Sequence, residues 1–213
     1  MKRTDDSPSQ KRQCLPGADH PVLRGLETYW HSLRRARRLP QRTDIAPDQI
    51  DLALPYAFIL QRVAPGIARM RVAGRHLHDL LKMDARGMPI STFFEPAARA
   101  LIADLVEAAF QEPAIIAVPL LSHGRLLRPN MTGTMLLLPM SDEKGNTTRI
   151  LGALVTDGIP GNRPRRFCVP DGALIRHETF CLHLASSQAI PRPHQKKGPD
   201  AQRPALSLVI DNT

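Results

Sequence analysis

Two blocks of alternating apolar positions flank one long amphipathic stretch, and that arrangement predicts a fold by itself. In residues 56–63, Phe58 and Leu60 alternate with Ala57, Ile59 and Gln61, and both parities are largely apolar. In residues 67–73, Ala68, Met70 and Val72 alternate with Arg69 and Arg71. Side chains two apart share a strand face, and the Ala64-Pro65-Gly66-Ile67 connection allows a hairpin. The middle stretch, 95–112, opens on Pro96 and sets Ala98, Leu101, Ile102, Leu105, Val106 and Ala109 against Arg99, Asp104, Glu107 and Gln111. That is a helical period, and Pro113 ends it. The second block predicts strands over 114–121, 131–140 and 148–156, the last two joined by the polar loop 141–147.

Outside these blocks the pattern is simpler. Pro21 suits a first helical turn, and Val22, Leu26, Tyr29 and Leu33 recur at helical spacing, widened by Leu23 and Trp30. Arg24, Glu27, His31, Arg34, Arg35 and Arg38 occupy the other face, and the helix should end near Leu39, before Pro40. Its apolar stripe exceeds what a solvated helix needs. It must pack on its own domain or on a second copy, and a homodimer through Leu26, Tyr29, Trp30 and Leu33 is one expectation. A short helix is expected over 47–54, and Leu77, Leu80 and Leu81 predict helical turns that Gly87 breaks. No internal repeat is present.

Three regions follow: a disordered tail over 1–20, an ordered domain over 22–157, and a Pro- and Arg-rich extension over 158–213 that is partly flexible. Within the extension, 173–184 reads as a short packed element, 190–204 as a flexible linker and 205–210 as a late strand.

Composition changes the picture in two respects. Across 213 residues, 42% hydrophobic content supports a real core, which excludes wholesale disorder. A net charge of +9 favours anionic partners. Arg34, Arg35, Arg37 and Arg38 concentrate that charge as a candidate anion or partner contact. The bland reading is a solvated helix end complementing the macrodipole. No helix-turn-helix, zinc-finger or RNP pattern accompanies it. Cys14, Cys168 and Cys181 form neither a disulfide framework nor a metal pair. With no apolar leader after Met1 and no run long enough to cross a membrane, a cytoplasmic, reduced protein is expected.

Candidate chemistry is sparse. His76 and His78 would diverge on a helix and share a face on a strand, and only Asp79 lies near enough to help ligate a metal, so no metal site is assigned. His123 reads as a turn residue. Neither Ser91 nor Ser122 sits in a nucleophile elbow, and Gly158-Ile-Pro-Gly161 lacks the lysine and helix start of a phosphate loop. No catalytic residue is assigned, and no enzyme activity is expected. Arg69 and Arg71 either cover the outer sheet face with their stems or bind an anion. Met70, Met131, Met135 and Met140 give the sheet an adaptable lining.

Helix, two strands, small helices, a long helix and three strands is an α+β order, and it resembles the PAS domain. Tyr29-Trp30 with Leu33-Arg34, then residues 39–47 (Leu-Pro-Gln-Arg-Thr-Asp-Ile-Ala-Pro), Arg71-Val72-Ala73-Gly74, Gly87-Met88-Pro89-Ile90 and Phe94 are similar to the PAS_5 family of single-PAS bacterial proteins. The resemblance implies an antiparallel five-stranded sheet with helices on one face, plus the N-terminal amphipathic helix. It also implies a sensory or regulatory protein that acts by binding a small-molecule ligand or a protein partner, with no output enzyme domain. The alternative is a nucleic-acid-associated regulator using the Arg-rich helix end and basic tail. In such a fold the space between sheet and long helix would be lined by Met70, Val72, Leu101, Leu105, Met135 and Leu137. That lining lacks the convergent polar groups that fix a tightly held cofactor. Haem-binding relatives often place a His on the long helix, and 95–112 has none. Flavin photosensors of the LOV type use a Cys ahead of that helix, and none lies between Cys14 and Cys168. No cofactor is therefore expected.

Limited proteolysis should cut first within 1–20 and 190–204 and spare 58–156. Early cuts inside 58–156 with intact tails would contradict this organisation.

Overall fold

A computed structural model describes residues 20–34, 38–124 and 129–180. Six strands form one antiparallel sheet: β1 (Ala57–Ala64), β2 (Ile67–Ala73), β3 (Ala114–Ser122), β4 (Met131–Ser141), β5 (Thr147–Thr156) and β6 (Arg176–Thr179). Their order is β2-β1-β5-β4-β3-β6. Among the described residues the α-helices are α1 (Pro21–Leu33), α2 (Arg75–Leu81) and α3 (Arg99–Gln111). The first five strands lie where the alternation places them, to within about a residue. The sixth does not come from alternation. Arg-His-Glu-Thr carries no apolar period, and the segment joins the sheet by pairing with β3 from Ala114↔Thr179 to Ala117↔Arg176.

Helix ends depart from expectation for local reasons. α1 stops at Leu33, seven residues before Pro40. Arg34 takes an extended backbone, and its N–H donates to the His31 carbonyl. The arginine run therefore follows the helix instead of forming its last turn, and residues 35–37 lie outside the described residues. The short helix expected at 47–54 is a 3-10 turn, Pro47–Ile50. A second 3-10 turn, Pro96–Ala98, leads into α3.

Both faces of the sheet are covered. On one, α2 and α3 pack with Phe58, Leu60, Met70, Phe93, Phe94 and Ile116 in a single cluster. On the other, α1 brings Leu23, Leu26 and Trp30 against Ile59, Ile115 and Leu136. This explains why β3, β4 and β5 are apolar at both parities, a pattern typical of strands buried on two sides. Trp30 is fully buried, and its Nε1–H donates to the Pro139 carbonyl at 3.0 Å. The stripe that could have seated a second copy is thus used within the chain, which removes the basis for a homodimer through it.

The chain past residue 157 returns to this core. The Phe167 N–H donates to the Phe93 carbonyl at 2.9 Å, and the Phe167 carbonyl accepts the Glu95 N–H at 2.9 Å. Cys168 and Leu121 exchange backbone bonds at 2.8 and 2.9 Å. Phe167 is fully buried, so part of the Pro- and Arg-rich extension completes the core. Residues 181–213, with the expected linker and late strand, lie outside the described residues, as do residues 1–19.

One residue row crosses all six strands: Ala73, Phe58, Gly152, Leu137, Ile116 and His177. The Phe58 ring occupies the space above Gly152, where a methyl would fall 2.3 Å from Phe58 Cζ and 2.8 Å from the Leu136 carbonyl oxygen. Gly152→Ala should therefore destabilise the fold by about 1–3 kcal/mol through overpacking, and Phe58→Ala by about 3–5 kcal/mol through the cavity it leaves. Combining Phe58→Leu with Gly152→Ala should cost less than the sum of the two single changes, because they share one space. Urea unfolding of the four variants checks this, and strict additivity would show that the ring and the glycine do not share it.

Candidate functional site

The sheet–α3 interior is where the sequence placed a pocket, and the structure assembles part of that set. Met70, Met135 and Leu137 are fully buried in one cluster, and Leu105 packs on it partly buried. Val72 is not there. The β1–β2 register passes from Leu60↔Met70 to Ile59↔Val72, leaving Arg71 as an extra residue. Such a bulge breaks the alternation, so Val72 pairs with Ile59 on the α1 side and is 44% exposed. Leu101 is absent as well. The buried stripe of α3 runs through Ile102, Val106, Ala109 and Phe110, and Leu101 lies outside it, 40% exposed. Phe58, Phe93, Phe94, Phe110 and Phe167 occupy the interior. Buried polar side chains among the described residues are Ser122 and Arg165. Arg165 donates to the carbonyls of Pro129 at 3.0 Å and Pro160 at 3.4 Å.

One opening among the described residues lies elsewhere. A groove of about 230 Å³ runs between the first turns of α1 and the 47–50 turn, with Leu26, Ile50 and Ala53 below and Asp48, Asp51 and Leu52 at its edge.

The candidate arginines separate by role. Arg34 lies with its guanidinium carbon 5.3 Å from the Trp30 ring centroid and 4.1 Å from that of Phe180. Burial lowers its pKa. Stacked there, it packs α1 against the chain beyond β6. Arg38 is exposed, and Arg35 and Arg37 lie outside the described residues. Arg176 of β6 completes the same junction, donating from Nη1 and Nη2 to the two Glu27 carboxylate oxygens at 2.8 and 2.7 Å. It also donates to Glu178 from Nε at 2.8 Å. A bidentate guanidinium–carboxylate pair is among the stronger polar contacts. Glu27 and Arg176 are 149 residues apart, and nothing local in the sequence signals their pairing.

The histidines hold structure. Both lie on α2, the helical alternative, in which they diverge. His76 Nε2 is 3.0 Å from Thr156 Oγ1, its ring is 4.9 Å from that of Tyr56, and burial pushes its pKa down. His78 Nδ1 accepts the Ala85 N–H at 3.0 Å while Nε2 lies 3.1 Å from the Ala73 carbonyl. With Nδ1 accepting, Nε2 is the ring nitrogen left to donate to the Ala73 carbonyl. The two rings serve different partners, and the described residues hold no group of three metal-ligating side chains. His123 Nε2 lies 3.4 Å from Cys168 Sγ, and that thiol also donates to the Leu121 carbonyl. Burial pushes the Cys168 pKa up, opposite to what an activated thiolate needs.

With the geometry in place, comparison identifies the class. The profile of the PAS_5 family, a PAS domain, matches residues 18–155. The chain belongs to that family, whose PAS domains are of the sensory and regulatory type. No curated protein matches it. Among solved structures, a light-oxygen-voltage domain studied with a flavin analogue is similar at 15% identity and TM-score 0.41, covering 52% of this chain and 83% of that one. The dark structure of the LOV domain of the blue-light photoreceptor Aureochrome1 gives 17% identity and TM-score 0.38, covering 51% and 80%. An RNA-binding light-oxygen-voltage receptor gives 15% and 0.38, covering 53% of this chain and 33% of that one. No helix among the described residues is long and apolar enough to cross a membrane.

Trp30 is the only tryptophan in the chain and reports on the junction. Arg176→Met should cost about 1–3 kcal/mol and shift Trp30 emission to the red as Phe180 loosens. Acidification should do the same. Hydrogen bonds from Arg176 hold the Glu178 carboxyl below its ordinary pKa, so its contribution is present above about pH 4.3 and lost as pH falls through the folded value. Emission that is unchanged in Arg176→Met would contradict the clasp.

Proposed function

We propose that this PAS domain is a regulatory module that works by contact with a protein partner, without chemistry of its own, in the cytoplasm. One observation carries the reading: the sheet–helix interior is filled by the chain's own aromatic and aliphatic side chains, with Phe58 lying over Gly152. A small ligand entering there would have to displace that ring and would find no convergent polar groups, so it would bind weakly. The residues do not fit LOV-type flavin chemistry. No cysteine lies between Cys14 and Cys168, and Cys168 is turned to the Leu121 carbonyl. The protein is expected to be colourless. The net charge of +9 suits an acidic partner surface and makes the contact salt-sensitive.

Positive charge also supports the nucleic-acid reading, which predicts affinity that falls steeply with salt as counterions are released. Titration with random duplex and single-stranded oligonucleotides at low and physiological salt distinguishes the two. The proposal expects no binding at physiological salt. Binding that persists there, and is lost when Arg35, Arg37 and Arg38 are changed to Gln, would overturn it. Arg34 is left out of this variant because its stacking on Trp30 and Phe180 is structural.

A further inference from the structure

The α1 side of the sheet closes unevenly. α1 lies over β4 and β5, and the rows nearer β2 reach solvent. Arg69 faces Gln61, Gln61 faces Arg149, and Arg149 faces Met140, giving one row across β2, β1, β5 and β4. Met140 belongs to the α1-side cluster, which fixes the side on which this row lies. Arg71, the bulge residue, donates from Nε to Gln61 Oε1 at 2.6 Å and so reaches the same side. The next row places Val72 beside Ile59. Leu54, 40% exposed, adjoins the end of β2, where a methyl on Gly74 would fall 2.3 Å from the Leu54 carbonyl oxygen.

Arg69, Arg71 and Arg149 form no ion pair with any carboxylate among the described residues. Two carboxylates of the adjoining turns bond within those turns: Asp142 accepts the Lys144 and Asn146 N–H groups of its own hairpin, and Asp44 the Gln41 N–H. Arg69 and Arg149 are two strands apart, about 10 Å by strand spacing. The surface therefore combines guanidinium groups that meet no carboxylate, Arg69 donating to the Gly87 carbonyl at 2.9 Å and Arg71 to Gln61, with the exposed side chain of Val72, and the exposed Leu54 adjoins it through its backbone.

We propose that this face, around Arg69, Arg71, Val72 and Arg149, docks an acidic protein segment with apolar residues beside its carboxylates. This rests on the partner-binding reading above and assigns it a surface. A nucleic-acid strand fits less well. Phosphates would satisfy the arginines but leave Val72 and Leu54 unburied, and the face has no exposed aromatic ring on which a base could stack. An acidic segment uses both, since guanidinium groups pair with carboxylates bidentately and the two apolar side chains gain burial.

The test is site-specific photo-crosslinking of the full chain in its own cells. The photoreactive residue is placed at position 72 or, as control, at position 82 beyond α2 on the opposite side. A protein adduct is expected from 72 and not from 82. Mass spectrometry should map it to a segment carrying Asp or Glu beside apolar residues. Arg69→Glu with Arg149→Glu should reduce it about tenfold while thermal unfolding stays close to the parent. Should that variant unfold, raising ionic strength on the unaltered chain replaces it, and the adduct should fall with salt. An adduct at 72 insensitive to both charge reversal and salt, or mapped to a basic segment or to nucleic acid, overturns the proposal. Protein adducts from position 22 or 101 but not from 72 overturn this surface and leave the partner-binding reading standing. No protein adduct from any of these positions overturns both.

Discussion

The constraint on which everything else depends is that the central strands are apolar on both faces. Met135 to Met140 of β4 and Ile150 to Val155 of β5 are buried without interruption. Apolar area left in water costs about 25 cal/mol per Å², so a sheet of this composition needs a layer on each side. α3 and α2 provide one layer and α1 the other. The N-terminal helix is thus part of the domain rather than an appendage. Its anchoring by Glu27–Arg176 and by the Trp30–Phe180–Arg34 stack then follows. α1 and β6 hold each other, and neither can leave without exposing the sheet.

That double cover bears on function through what remains uncovered. The α3 side is sealed, with Phe58 folded into the space that Gly152 leaves. The α1 side is sealed over β4 and β5 and open near β2, where one bulge turns Val72 outward and Arg71 follows. The filled interior and the cationic sheet corner are the two features on which the proposed partner-binding reading rests.

Much of the fold was legible in the sequence. Period-2 runs located five strands, a 3.6-residue period located α1 and α3, and apolar residues at both parities already implied a well-covered sheet. What was not legible depends on pairing across distance. β6 has no apolar pattern and exists because β3 offers an edge. Glu27 and Arg176 meet only in three dimensions. The pocket set failed at Val72 because period 2 holds only while the register does, and at Leu101 because the buried stripe of α3 is centred on Ile102 and Val106. A glycine inside the apolar run Ile150-Leu-Gly-Ala-Leu154 signals that something bulky approaches the strand, and Phe58 is that neighbour.

The central claim, action by partner contact rather than by an enclosed cofactor, is tested most directly by native mass spectrometry of the protein purified from its own cells. The account predicts a chain at its bare mass of 23.6 kDa, together with a salt-sensitive complex with a second protein. A stoichiometric small molecule retained on the chain, surviving buffer exchange and released only on unfolding, would contradict it.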